Sequence, residues 1–202
     1  MINCRKVHCG RYSFFRTSLS YSSGAAFPAA LDILVDFRGI NEANVAFPFA
    51  RKIINMPMTT VGELYRRATD PAVSDLVEFY IEIIDAHRGD FSQLLQIVTS
   101  SPSVGFGCFF GKDRTGMASF LLCKKFNVSL DDIILDYRRS EYELKKSVDL
   151  FSAHWLKRGS SREHYLQRLC CPAAAIEQVD HYLTQQYGGI DHYLEVPLIK
   201  GR

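Results

Sequence analysis

The stretch SVGFGCFFGKDRTGMASFLLCKKF, from Ser103 to Phe126, restricts the fold more than any other part of the chain. A short apolar run, bounded by Pro102 and carrying Gly105 and Gly107, leads into Cys108. Five residues follow, then Arg114, Thr115 and Gly116, then a segment without helix breakers that carries Lys124 and Lys125 near its end. The apolar run predicts a buried strand. The segment after Gly116 predicts a helix, in which small Ala118 and Ser119 allow close packing and the lysines favour the C-terminal dipole. Strand, tight loop and helix in this order belong to an α/β sheet.

The loop has a definite chemistry. A backbone that wraps at a helix N-terminus turns several N–H groups toward one point, where they bind a tetrahedral oxyanion. Arg114 closes such a cradle with a guanidinium fork on two phosphate oxygens. Cys108 lies at its base, at the positive end of a helix and near a cation, surroundings that favour a thiolate. A thiolate facing a bound phosphorus is placed for in-line attack, with the Thr115 hydroxyl expected to donate to the sulfur. Gly111 and Gly116 let the backbone close around the anion.

Two look-alikes are set aside by counting. HCGRYSFFR, from His8 to Arg16, separates Cys9 and Arg16 by six residues and has neither a preceding apolar strand nor a following small-residue helix. It reads as an ordinary N-terminal segment. Gly111–Lys112 is not the end of an ATP-binding loop, because that pattern requires glycine where Phe106 stands and Ser or Thr where Asp113 stands.

The rest of the chain frames this motif. Its 202 residues suit a single domain, 1–202, large enough to bury a core without disulfides or metals. A net charge of +2 is too small to argue for nucleic acid, so an anionic ligand needs a local cluster. No apolar run has a membrane span's length, and the N-terminus lacks the apolar stretch of a secretory signal. Six cysteines without a CxxC pair point to free thiols and a cytoplasmic setting. ALDILVDFRG predicts a buried strand ending at Asp36 and Arg38, and RKIINMPM a second strand stopped by Pro57. Helices are predicted from Pro71 to Gly89, over DFSQLLQIVTSSP, from the Ser129/Asp132 capping pattern onward, over SEYELKKSVDLFSAHWLK, and from Pro172 to Gly188. The expected fold is therefore a central, mainly parallel sheet flanked by helices, with a helical C-terminal third.

CFFGKDRTG, Cys108 to Gly116, resembles the signature of the cysteine-dependent protein tyrosine phosphatases, most closely the bacterial tyrosine/lipid phosphatases with a His-Cys-x-x-Gly-Lys-Asp-Arg-Thr-Gly loop. FFRTSLS, ILVDFRG, DDIILDYRRS and YLTQQYGGIDHYLE resemble further segments of that family, so the likeness covers nearly the whole chain. It implies a tyrosine-phosphatase-like fold and a covalent phosphocysteine mechanism that uses no metal or cofactor. It makes Cys108 the nucleophile and Arg114 the phosphate clamp. Asp113 is the general acid or a loop-bracing carboxylate. Asp36 is its rival as acid, or a brace with Arg38. Lys112 adds positive charge at the pocket mouth, and Arg16 and Asp136 hold hydrogen bonds near the site. The implied partner is a phosphorylated protein, lipid headgroup or metabolite.

Two departures mark this chain. Gly107 stands where the signature has histidine, and Phe109 and Phe110 stand where small or polar residues are usual. Phe110 is expected to pack into the core, and Phe109 to present a ring beside the pocket. TTVGELYRRATD, with Tyr65, Arg66, Arg67 and Asp70, is read as a basic lid or as a solvated helix face. Besides the hydrolase, two readings stand: a phosphate-binding pseudophosphatase, and a redox-sensing thiol in which Cys123 or Cys170 resolves an oxidised Cys108.

Overall fold

The computed structural model describes residues 2–20, 30–39, 42, 49–59, 72–157 and 159–195; of the segment read as a lid, Thr59–Asp70, only Thr59 lies among them. Five strands form one sheet: β1 (Arg5–Cys9), β2 (Tyr12–Ser18), β3 (Leu31–Asp36), β4 (Ala50–Asn55) and β5 (Val104–Cys108), in the order β1-β2-β5-β3-β4. β1 and β2 are an antiparallel hairpin, and every other pairing is parallel. The predicted mainly parallel sheet is what the chain forms.

β5 is central, paired with β2 through Phe15–Gly105 to Ser18–Cys108 and with β3 through Ile33–Val104 to Asp36–Gly107. The period of two along a strand sorts its residues. Val104, Phe106 and Cys108 enter the larger core, with Phe14, Val35 and Phe37 from neighbouring strands. Gly105 and Gly107 face the other side, toward a smaller cluster of Phe15, Leu19, Leu31 and Leu34.

The helices are α1 (Val73–Ala86), α2 (Arg88–Ser100), α3 (Asp113–Lys125), α4 (Leu130–Lys146), α5 (Ser152–Lys157), α6 (Arg162–Arg168), α7 (Ala173–Tyr187) and α8 (Ile190–Leu194). Leu76, Phe79, Tyr80, Ile83 and Ile84 of α1 give the expected apolar stripe, and all are buried. α1 ends at Ala86, however, and Gly89 lies inside α2. Ser129 caps α4, its hydroxyl accepting from the Asp132 N–H at 3.2 Å. α7 stops at Gly188, whose φ of 72° is the left-handed conformation that suits glycine.

HCGRYSFFR, read as an ordinary N-terminal segment, spans the β1–β2 hairpin, with Cys9 and Arg16 on different strands. One expectation fails locally. SEYELKKSVDLFSAHWLK is not one helix. α4 ends at Lys146, a 3-10 turn covers Val148–Phe151, and α5 begins at Ser152. Three residues per turn place Val148 and Phe151 on the same side, and both bury in a satellite core with Ile2, Leu144, Tyr165 and Leu169.

Candidate active site

β5 delivers Cys108 to the C-terminal edge of the parallel strands, where open α/β sheets place their ligands. The thiol is buried, at 2% exposure. The chain then turns through residues 109–112 into α3, and the backbone hydrogen bonds of the turn fix its shape. Leu19 N–H donates to the Cys108 carbonyl at 2.8 Å. The Phe109 carbonyl accepts from Ser18 Oγ at 2.6 Å and Ser20 N–H at 3.2 Å. Asn3 Nδ2 donates to the Phe110 carbonyl at 3.1 Å and to that of Gly111 at 2.9 Å, and Arg16 Nη2 also reaches Gly111 at 2.9 Å. Four successive carbonyls are thus held from behind. In a trans peptide the N–H points opposite to the C=O of the same unit, and none of the described peptide bonds is cis. The N–H groups of Phe109, Phe110, Gly111 and Lys112 therefore turn to the opposite, inner side, in the manner of an anion nest.

Gly111 makes that turn possible. Its φ is +66°, and a Cβ there would lie 2.6 Å from backbone atoms of Thr17 and Ser18. Gly107 is constrained from the other face, where a Cβ would meet the Thr17 carbonyl oxygen at 2.5 Å and Leu19 Cγ at 2.8 Å. Histidine does not fit this backbone, because Leu19 and β2 occupy its place.

Behind the loop lies a buried ionic network. Arg5 Nε donates to Asp136 Oδ1 at 2.6 Å, Arg16 Nη1 pairs with Asp136 Oδ2, and Ser140 Oγ accepts from both arginines at 3.0 and 3.2 Å. Burial pushes the Asp136 carboxyl up, but Arg16 and Arg5 outweigh it and hold it below its usual range. Burial, reinforced by the neighbouring Arg16, pulls Arg5 down to about 10 despite Asp136. The network supports Asn3, whose Oδ1 accepts from Arg5 Nη1, and so reaches the loop carbonyls.

Arg114 is gripped by Glu42. Nη1 donates to Glu42 Oε2 at 2.7 Å and to the Phe37 carbonyl at 3.1 Å, and Nη2 donates to Oε1 at 2.8 Å. Burial lowers the guanidinium's pKa, but Glu42 and the facing Cys108 reverse this and raise it above its ordinary value. Guanidinium has five donors, and these contacts use three. The Nε–Nη2 edge keeps two donors uncommitted among the described residues, while the Nη1/Nη2 side is taken by Glu42 and the Phe37 carbonyl.

A profile of the tyrosine phosphatase family matches residues 28–198. The chain belongs to the tyrosine phosphatase family. It is also similar to a Cupriavidus necator (strain ATCC 17699) protein named a putative tyrosine-protein phosphatase, at 26% identity over 175 residues. That match covers 81% of this chain and spans 64% of the relative's length.

In this member of the family the remaining sequence-selected residues are placed as follows. Asp113 opens α3, and its Oδ1 accepts from Tyr80 OH at 2.9 Å; Tyr80 in turn lies 2.8 Å from Tyr137 OH. Asp36 is held by Arg38 through contacts of 2.8–3.2 Å, and Arg38 Nη1 donates to the Leu19 carbonyl at 2.8 Å. This is the bracing geometry, with both side chains buried. Gly116 sits in the first turn of α3, where a Cβ would lie 3.6 Å from the Tyr137 ring, at ordinary contact distance.

Three placements differ from expectation. Lys112 is not at a pocket mouth. Its side chain is 1% exposed, with Nζ 2.8 Å from the Arg168 carbonyl and 3.2 Å from Asp113 Oδ1, so it ties α6 to the loop. Thr115 Oγ1 is buried without a hydrogen-bond partner among the described residues, so the expected donation to sulfur is not made. Cys123 does not face Cys108: its sulfur is 3.1 Å from that of Cys9, while Cys170 accepts from Lys145 Nζ at 3.2 Å. Phe110 packs as expected, against Phe151 and Tyr165 at ring separations of 5.1 and 6.0 Å. The Phe109 ring forms a triangle with Phe110 at 4.8 Å and His154 at 4.9 Å, which are themselves 5.7 Å apart. Asn3, Arg5, Glu42 and Tyr80 were not singled out from the sequence as site neighbours. They reach the loop across separations that no local pattern signals; Tyr80 was visible only as part of an apolar stripe.

Proposed function

We propose that the protein is a phosphomonoester hydrolase acting through a phosphocysteine at Cys108. The observation that carries this reading is the set of four tied carbonyls, which turns four N–H groups inward beside a buried cysteine and a braced arginine. In the first step the Cys108 thiolate attacks phosphorus. The S–P bond forms as the ester P–O bond breaks, and Asp113 protonates the departing oxygen. In the second step water attacks phosphorus, Asp113 takes its proton, and phosphate leaves with regeneration of the thiolate. The loop N–H groups and the Arg114 Nε–Nη2 edge hold the equatorial oxygens, stabilising their charge in both transition states. Gly111 permits the turn, while Lys112, Phe109 and Phe110 hold the loop to the C-terminal helices.

The name of the Cupriavidus protein makes phosphotyrosine the first substrate to test; phosphoinositides and small phosphorylated metabolites follow. The test is hydrolysis of p-nitrophenyl phosphate with chelator present, by wild type and Cys108→Ser. Metal-independent turnover that vanishes in the variant is expected. Turnover that survives Cys108→Ser refutes the mechanism, and phosphate binding without turnover makes the protein a pseudophosphatase.

A further inference from the structure

Cys9 closes β1 and Cys123 lies near the end of α3, so two cysteines 114 positions apart are brought together in the larger core. Their sulfurs are 3.1 Å apart, closer than unbonded sulfurs normally rest, and the residues are 1% and 2% exposed. A disulfide requires roughly 2.05 Å, so about 1 Å of side-chain motion separates the dithiol from the bond. We propose that Cys9 and Cys123 form an oxidisable pair, a modification site separate from Cys108 that takes a small peroxide as its oxidant.

Three observations support it. The two thiols are hydrogen-bonded, and their titrations are driven apart: the contact with Cys123 pulls the Cys9 thiol down, and the same contact, reinforced by burial, pushes Cys123 up. A thiolate is the form that reacts with peroxides. A cavity of about 90 Å³ borders Cys123, with polar Arg16 and Asp136 and apolar Phe120 and Ile133 in its wall. It has room for a few waters or one peroxide, which Arg16 and Asp136 can hold by hydrogen bonds. Arg16 Nε, on that wall, is buried without a hydrogen-bond partner among the described residues.

The chemistry balances with hydrogen peroxide alone. The thiolate sulfur attacks one peroxide oxygen, the O–O bond breaks, and the departing hydroxide takes a proton to leave as water. The second sulfur then attacks the sulfenic sulfur, the S–O bond breaks, and a second water leaves with the remaining thiol proton. The two cysteines lose two electrons and the peroxide gains them. The product ties the end of β1 to the helix that opens with Asp113 and Arg114. Neither sulfur belongs to the proposed phosphate site, so the bond forms whether or not the protein hydrolyses phosphoesters.

Peroxide treatment of the reduced protein, alkylation of the remaining thiols and tryptic mass spectrometry test the pair. The expected product is residues 7–11 linked to residues 115–124, absent in Cys9→Ala. In the Cys108→Ser background the same treatment should raise the thermal midpoint by roughly 5 °C or more, as a cross-link closing so long a loop does. The proposal is overturned if Cys9 and Cys123 are both fully alkylated, after unfolding, at a peroxide dose that has oxidised Cys108 completely. It is equally overturned if Cys123 is found linked to Cys108 in place of Cys9.

Discussion

Replacing Gly107 by histidine supplies the residue of the signature this loop resembles, and the structure predicts that it damages this protein. A Cβ at 107 sits 2.5 Å from the Thr17 carbonyl oxygen and 2.8 Å from Leu19 Cγ. Leu19 can move, but Thr17 is paired with Gly107 in the β2–β5 ladder, so relieving that contact means parting the strands. Overpacking costs about 1–3 kcal/mol where side chains can give way, and an immovable backbone oxygen puts this site at about 3 kcal/mol. At roughly 2–4 °C per kcal/mol for a protein of this size, the midpoint falls by roughly 6–12 °C. Trimming Leu19 does not rescue it, because the backbone contact remains and a buried Leu→Ala change costs about 2–5 kcal/mol itself. Thermal unfolding and p-nitrophenyl phosphate turnover are the assays for wild type, Gly107→His, Leu19→Ala and the double variant. A Gly107→His protein as stable as wild type and more active would refute the reasoning.

Gly111→Ala should abolish turnover and lower the midpoint, since it combines a positive φ with backbone contacts at 2.6 Å, whereas Gly116→Ala should leave the midpoint within a few degrees of wild type; a thermal scan of both separates them. Asp136→Asn should destabilise by about 3 kcal/mol at pH 7, because it leaves two buried arginines without their anion. The carboxyl's depressed pKa makes that contribution complete above the unfolded value of roughly 3.9 and progressively lost as the pH falls through the folded one, so urea titrations of wild type and variant should converge in acid. Glu42→Gln should lower kcat/KM by about tenfold or more with little loss of stability, since it loosens the Arg114 guanidinium without emptying a core position; steady-state kinetics beside urea unfolding measure both.

What the sequence made legible is local. The β5–loop–α3 segment was readable because an apolar run, a fixed count of residues and a helix-compatible stretch follow one another. The Asp36–Arg38 brace was readable because its partners lie two positions apart. Lys112 was misplaced because its acceptor, the Arg168 carbonyl, lies 56 positions on and leaves no trace in composition. The β1–β2 hairpin was missed because RKVHC alternates in burial without alternating clearly in polarity. Arg5 and Arg16 gain meaning only when Asp136 arrives from α4. The break after α4 follows from the satellite core's demand for Val148 and Phe151 together, which helical periodicity does not encode.

The ties behind the loop bear on the order in which the protein acquires its chemistry. Asn3 reaches Gly111 across 108 positions, and Arg5 reaches Asp136 across 131. Contacts of that span form slowly, because a long stretch of chain must close before they return any energy. Cys108 can reach the end of its strand while the carbonyls around it are still unheld. A growing chain therefore carries Cys108 for some time before the ties behind its loop exist, and they are complete only when α4 has been made and has docked. On the proposed function, the docking of α4 is then also the step that completes the phosphate site.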